Sequence, residues 1–449
     1  MKQWVLVAAC LAGCSKSEPK PPPPAPPAPA PAPAATESHA IHVMNEWFKA
    51  FNAGDMKALH AFSVTHMPGK PDIGDAGFRT MTGGFVIKRM TDLSPTSAEV
   101  IVKEQKSEQY ARGQIDLDPK DPNHVLQFDI LAGPTPPEFL TPEQRKERAL
   151  DGAKRTAVVD KIAAALAKTY IDANKARSMG AALHAHLAKG DYDKLDDGDA
   201  FAHQLTTDLH ADTRDLHMRV MFGPHPTAEP PPPPEAAQLE QLHQMNYGFG
   251  TIERLKGSVA RVVINGFPEA SFEAAQKGIG DLMSQVADAD ALIVDLRENH
   301  GGSPETVALV ASYMFDAKPV HLVDIYERET KKTTPSWTHA KLAGKRFGGT
   351  KPVYVLTSKT TFSGGEELAY DLQTTKRATL IGETTGGGAH PTKMVSLDDW
   401  FAIAVPFAES ISPVTHGNWE GTGVVPDVLT PADAALDEAL KRATADVKH

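Results

Sequence analysis

Thr361-Phe362-Ser363-Gly364-Gly365-Glu366-Glu367-Leu368 constrains this chain more than any other segment. It lies between an apolar run, Pro352 to Thr357, and a stretch with helical periodicity, Glu366 to Gln373. The β-branched run predicts a strand, and Leu368, Ala369 and Leu372 share one face of the predicted helix. Ser363 is therefore expected at a strand-to-helix junction. There the amides of Gly364 and Gly365 and the positive end of the helix dipole face any negative charge that develops beside its hydroxyl. Such a serine can act as a nucleophile. Ser363-x-x-Glu366 is equally a capping box, in which serine caps the helix and glutamate reaches back to it.

A length of 449 residues implies two or three domains. A net charge of -11 without a Lys/Arg run argues against a nucleic-acid partner. Cys10 and Cys14 are the only cysteines, so the folded part has no disulfide and no cysteine-ligated metal. Trp4 to Leu11 is an apolar stretch too short to span a bilayer permanently, and it reads as a signal peptide. Leu11-Ala-Gly-Cys14 resembles a bacterial lipobox. That resemblance implies removal of residues 1–13, lipidation of Cys14 and anchoring of an extracytoplasmic body to a membrane, on the periplasmic or cell-surface side. An ordinary secretory signal with an incidental cysteine is the alternative. Pro19 to Pro33 is almost all Pro and Ala, a polyproline II spacer of roughly 45 Å at about 3.1 Å per residue.

Residues 15–37 are thus expected to be a linker and 38–134 a small α+β domain. In it, a helix over His42 to Asp55 precedes strands at Gly84 to Lys88, Ser97 to Lys103 and His124 to Ile130. The helix end Phe51-Asn-Ala-Gly-Asp55 is similar to the opening of cystatin-like or nuclear-transport-factor-like (NTF2-like) domains. No cluster of titratable residues marks this unit as a place for chemistry. Gly133-Pro-Thr-Pro-Pro137 marks its end. Residues 150–223 read as helical, Ala-rich over Arg155 to Ala188 and again helical from Phe201 to about Ala211, before a strand from Leu216 to Phe222 carrying His217. His184 and His186, at i and i+2, do not share a helix face, so no metal is expected there.

Asp215-Leu216-His217-Met218-Arg219-Val220 resembles the Asp-x-His-Leu-x-Val segment of the S41 serine peptidases, in the branch of tricorn protease and the interphotoreceptor retinoid-binding protein repeats. Four further blocks resemble that family in order: Asn246 to Phe249, Val294 to Gly302, Ile381 to Gly388 and Trp419 to Asp427, with the Ser363 segment between the second and third. The resemblance implies an α/β fold for residues 244–449, a ClpP/crotonase-like spiral of ββα units preceded by the helical segment and the small N-terminal domain. It implies Ser363 as nucleophile, with the N-H of Gly364 and one from the Gly301-Gly302 loop as oxyanion hole.

The family's carboxyl-terminal processing branch takes its base from a lysine within Gly-Lys-Gly. The matching stretch, Gly386-Gly387-Gly388-Ala389, has none, and Lys393 lies beyond it. The resemblance then implies the tricorn-like arrangement, with His217 as base, titrating near the ordinary histidine range, and Glu420 as the carboxylate that orients it. His390 is the competing base. Gly223 to His243 is too short to hold the PDZ domain that the processing branch carries there. The expected function is a serine endopeptidase acting on peptides or unfolded protein segments, without cofactor or metal. A non-catalytic protein binding an apolar ligand on the same fold is the other class.

Overall fold

A computed structural model describes residues 38–68, 76–133, 135–223, 235–269 and 271–446. The expected signal, the Cys14 lipidation site, the Pro/Ala linker and Pro230 to Pro234 lie outside the described residues. The chain divides into two compact units, one ending at Leu131 and the other running from Ala132, with Gln109–Ala111 counted with the second.

In the first unit, helices α1 (His39–Ala53), α2 (Met56–His66) and α3 (Ala76–Thr82) precede a four-stranded sheet. Its strands β1 (Phe85–Ser94), β2 (Ser97–Glu104), β3 (Tyr110–Asp118) and β4 (Asp121–Gly133) are paired in chain order. Ser38 caps α1 by accepting from the Ile41 amide, and Gly54 closes it at φ 71°. The buried face of α1 packs Trp47 in a stack with Phe51, 4.6 Å between ring centres, and edge-on to Phe128. Strand β3 was not expected from the sequence. It alternates Gly113, Ile115 and Leu117 inward with polar neighbours, too few strong β-formers to stand out.

The second unit begins with helices α4 (Pro142–Arg148), α5 (Gly152–Thr169), α6 (Ala173–Lys189) and α7 (Gly198–Thr213). The helical stretch expected over Arg155 to Ala188 forms two helices. Asp172 caps a fresh helix by accepting from Asn174 and Lys175, while Tyr170 turns into the core at 1% exposure. Strand β5 (Arg219–Phe222) follows, and then α8 (Glu235–Gln244).

From there the chain alternates strands and helices: β6 (Phe249–Leu255), β7 (Val259–Ile264), α9 (Phe272–Ser284), β8 (Ala291–Asp295) and α10 (Pro304–Ser312). A hairpin of β9 (His321–Glu327) and β10 (Lys332–Trp337) precedes β11 (Val353–Thr357), α11 (Gly364–Thr374) and β12 (Thr379–Gly382). Strands β13 (Thr392–Ser396), β14 (Phe401–Pro406), β15 (Ala408–Ile411) and β16 (Val428–Leu429) come before α12 (Ala435–Asp446).

The central sheet has the order β16-β12-β11-β8-β7-β6, parallel except at β6, with β6, β7 and α9 forming a ββα unit. Strands β8 and β11 are buried along their whole length, which is why both are unbroken apolar runs. Leu292 and Val294 of β8 face the layer of α9, α10 and α11, whereas Ala291 and Ile293 face Ala435, Ala439 and Ala443 of α12. A second core joins α5, α6 and α7 to β5 and β14, where Phe201, Leu205 and Phe401 meet. Parallel neighbours put the loops after β8, β11 and β12 at one edge of the sheet, the usual place for a site in such folds.

Candidate active site

Three loops meet at that edge. The loop after β11 is bonded to the end of β8: Thr361 Oγ1 donates to the Leu296 carbonyl (2.8 Å), Thr360 Oγ1 to Arg297 (2.7 Å), and the Phe362 amide to Asn299 (2.9 Å). Asn299 is fully buried, and its Nδ2 donates to the Ile264 carbonyl at 2.9 Å. The chain is thereby delivered to Ser363 in a fixed position.

Ser363 has φ 53° and ψ -120°, a conformation that a residue with a Cβ avoids, at roughly 1–3 kcal/mol. It stands immediately before α11, in the manner of a nucleophile on a strained strand-to-helix turn. Gly301 lies against it, since a Cβ there would sit 2.5 Å from Ser363 Cβ. Gly302, at φ 133°, has no room for a side chain, because a Cβ would come 1.9 Å from the Phe267 carbonyl oxygen. Of the three glycines expected to form an oxyanion hole, Gly301 has its N-H committed to Asn299 Oδ1 at 2.8 Å. Among the described residues no acceptor engages the N-H of Gly302 or Gly364, and a Cβ on Gly364 would lie 3.1 Å from the Gly302 nitrogen. These two neighbouring donors are free to receive an anionic oxygen.

Glu366 does reach back to the Ser363 amide (2.9 Å), as a capping-box residue would. Its carboxylate also accepts from the Gly387 amide (2.6 Å), the Gly388 amide (2.7 Å) and the Thr385 hydroxyl. A wholly buried carboxylate thus ties the turn that holds Ser363 to the glycine loop after β12. Burial raises its pKa above the ordinary carboxylate range, against the pull of those donors.

His217 lies in a turn ahead of β5 rather than inside a strand as expected. The Asp215 side chain accepts from the His217 amide (3.3 Å) and its carbonyl from Met218 (3.2 Å), which holds the turn closed. The imidazole packs on Phe362, 4.6 Å between ring centres, and against Gly388, where a Cβ would sit 2.5 Å from Cε1. Its Nδ1 is buried without a hydrogen-bond partner among the described residues. Burial is the larger influence on this ring and depresses its pKa to about 4, below the ordinary histidine range expected for it.

Beside His217 is a group that sequence reasoning did not assemble. Asp215 Oδ2 accepts from Tyr170 Oη at 3.2 Å and lies 2.8 Å from His390 Nδ1. Glu420 Oε2 accepts from the Ala389 amide at 2.7 Å and lies 3.5 Å from the same Nδ1. Burial and the Asp215 charge push Glu420 up to about 7. One donor atom each of Asp215, His217 and Glu420 lies within 4.8 Å of the others. These three are the residues that could hold a metal ion among those described, but both carboxylates are already engaged by His390, Tyr170 and the Ala389 amide. Among the described residues no hydrogen bond joins Ser363 to His217 or His217 to Glu420. Free enzymes commonly lack closed proton-transfer contacts.

Lys393 Nζ pairs with Glu329 at 3.0 Å. His184 is engaged by Asp160 and the Gly180 carbonyl, and His186 by Asp191.

Residues 258–430 match the model of peptidase family S41, and residues 152–247 match the N-terminal domain of Peptidase_S41 in eukaryotic IRBP. The chain is 28% identical over 202 residues to a carboxyl-terminal-processing protease of Synechocystis sp., covering 42% of this chain and 45% of that one. It is 27% identical over 214 residues to the carboxy-terminal processing protease CtpB of Bacillus subtilis, covering 45% and 42%. The chain therefore spans under half the length of these curated relatives. Among solved structures, a lipoprotein from Streptococcus agalactiae matches with a TM-score of 0.47 and 12% identity, over 65% of this chain and 96% of that one.

Proposed function

The chain belongs to peptidase family S41, and we propose that it is a serine peptidase cleaving peptides or unfolded protein segments through Ser363, His217 and Glu420. The carrying observation is the backbone of Ser363, held at φ 53° beside the unengaged N-H groups of Gly364 and Gly302. A serine hydroxyl is a poor nucleophile without a base. His217, kept neutral by its burial, takes the Ser363 proton as the hydroxyl attacks a peptide carbonyl. The carbonyl oxygen becomes an oxyanion received by the two glycine amides, and the resulting imidazolium is stabilised by Glu420. His217 then returns the proton to the leaving amine, and water repeats the sequence to release the acyl group.

Lys393, ion-paired with Glu329, has no part in this scheme. Substrate choice falls to the residues around Ser363, without a PDZ domain. The body works outside the cytoplasm, tethered through Cys14. A reading as an apolar-ligand carrier has less support: a surface cavity of about 760 Å³ is lined by Arg254, Asp288, Lys345 and Arg346, charges that do not suit such a ligand.

Hydrolysis of an unfolded protein substrate tests the assignment. Ser363→Ala is expected to abolish it. Glu420→Gln is expected to lower kcat by roughly 10²- to 10⁴-fold with KM nearly unchanged, because the carboxylate acts on an imidazolium that exists only as the reaction proceeds. Wild-type rates in Ser363→Ala would refute the reading.

A further inference from the structure

Two carboxylates and two imidazoles share this buried site, and the proposed reaction uses only one imidazole. The other, His390, presents a single N-H to both acids, 2.8 Å from Asp215 Oδ2 and 3.5 Å from Glu420 Oε2. The side chains of Asp215, His390 and Glu420 are 2%, 10% and 17% exposed. Tyr170 Oη, from the end of α5, donates to Asp215, the Ala389 amide donates to Glu420, and Glu409 of β15 adds a further negative charge toward His390. His217 and Glu366, whose charge also raises Glu420, are the other titratable neighbours among the described residues.

Charge balance makes His390 necessary. Asp215 and Glu420 together would place two negative charges in a region shielded from water, and such a pair lowers its energy by taking up a proton. A protonated Glu420 could not stabilise an imidazolium on His217. An imidazolium between the two acids cancels one charge and leaves the single net negative charge that a serine triad needs.

Resting on the serine-peptidase reading, we propose that His390 is a positioning residue that stays protonated between Asp215 and Glu420 and so keeps Glu420 ionised for His217. The pKa directions agree. Burial pulls His390 down, but its bond to Asp215 and the charges of Glu420, Asp215 and Glu409 outweigh that and raise it. The His390 charge itself lowers Glu420 and lowers His217. Removing it raises both groups, and both changes move the acid side of the activity profile to higher pH.

The experiment is the pH dependence of kcat/KM for a peptide substrate in the wild type, His390→Gln and the double variant Asp215→Asn/His390→Gln. The acid limb in His390→Gln is expected to move up by about 1–3 pH units, the usual effect of an adjacent charge, with most activity regained at alkaline pH. The double variant, which removes the surplus carboxylate along with the cation, is expected to bring the limb back toward its original position. A limb that does not move, or a loss equal at every pH, overturns the proposal.

Should His390→Gln fail to fold, nitrogen NMR of histidine in Ser363→Ala reads the charge directly. Two protonated ring nitrogens on His390 at pH 7 support the proposal, and a neutral ring overturns it. A wild type without Ser363-dependent hydrolysis would instead refute the peptidase reading, which the NMR state does not test.

Discussion

The two units differ in what they bury. The N-terminal unit packs an aromatic cluster, Trp47, Phe48, Phe51, Phe85 and Phe128, and among its described residues the buried polar side chains are Ser63, His66 and Thr82. The second unit buries Asp215, Asp295, Glu366, Glu367, Asp371 and His390. An uncompensated buried charge costs several kcal/mol, so it persists only where it is paired, bonded or neutralised. Asp295 is held between Arg261 and Arg297, each at 2.7 Å, and Glu366 accepts four donors. Glu367 and Asp371 are shifted toward their neutral forms instead: burial and Glu305 push Glu367 up to about 8, and burial with Glu367 raises Asp371, whose oxygens have no partner among the described residues. Three of these six groups, Glu366, Glu367 and Asp371, lie on α11, the helix that Ser363 begins. One unit is an ordinary apolar fold, while the other spends stability on a polar centre.

The largest effect that could break the contrast comes from the base. His217→Ala is expected to reduce peptide hydrolysis by about 10³-fold or more while the circular dichroism spectrum stays native. A small loss would remove His217 from the chemistry. Next in size is Trp47→Ala, which empties the aromatic cluster and is expected to destabilise the first unit by about 3–5 kcal/mol in denaturant unfolding. Hydrolysis of a short peptide should survive it, and a parallel loss of activity would mean that the N-terminal unit contributes to the site.

The last concerns the acids shifted toward neutrality. With its folded pKa raised to about 8 from 4.5, Glu367 binds more protons in the folded than in the unfolded protein between those values. Stability therefore falls as pH rises through that window. Glu367→Gln removes the penalty, and its gain over the wild type in calorimetry is expected to grow from under about 1 kcal/mol at pH 5 to about 4–5 kcal/mol at pH 8.5. A gain independent of pH would mean that Glu367 is ionised in the fold.

What the sequence made legible was local. The strand over Val353–Thr357 and the helix behind Ser363 follow from periodicity and turn chemistry over a dozen residues, and they stand where expected. The break between α5 and α6 was hidden because Ala-rich periodicity continues through it. Its cause, Asp172 as a cap and Tyr170 turning toward Asp215, is partly tertiary. Glu366 was visible as a capping residue, but its bonds to Gly387 and Gly388 join segments about twenty residues apart that no spacing rule links. The Asp215, His390 and Glu420 cluster joins three elements far apart in the chain. The visible signal was Asp215 two residues before His217, a position whose value only the fold reveals.

The central claim is that Ser363 is a nucleophile poised by its backbone, and covalent labelling tests it most directly. A fluorophosphonate probe on the full chain, read by intact mass and peptide mapping, is expected to add one adduct at Ser363. It should add none in Ser363→Ala, and should react far more slowly in His217→Ala. A wild-type protein that stays unlabelled while folded, or that carries the adduct on another residue, would contradict the account.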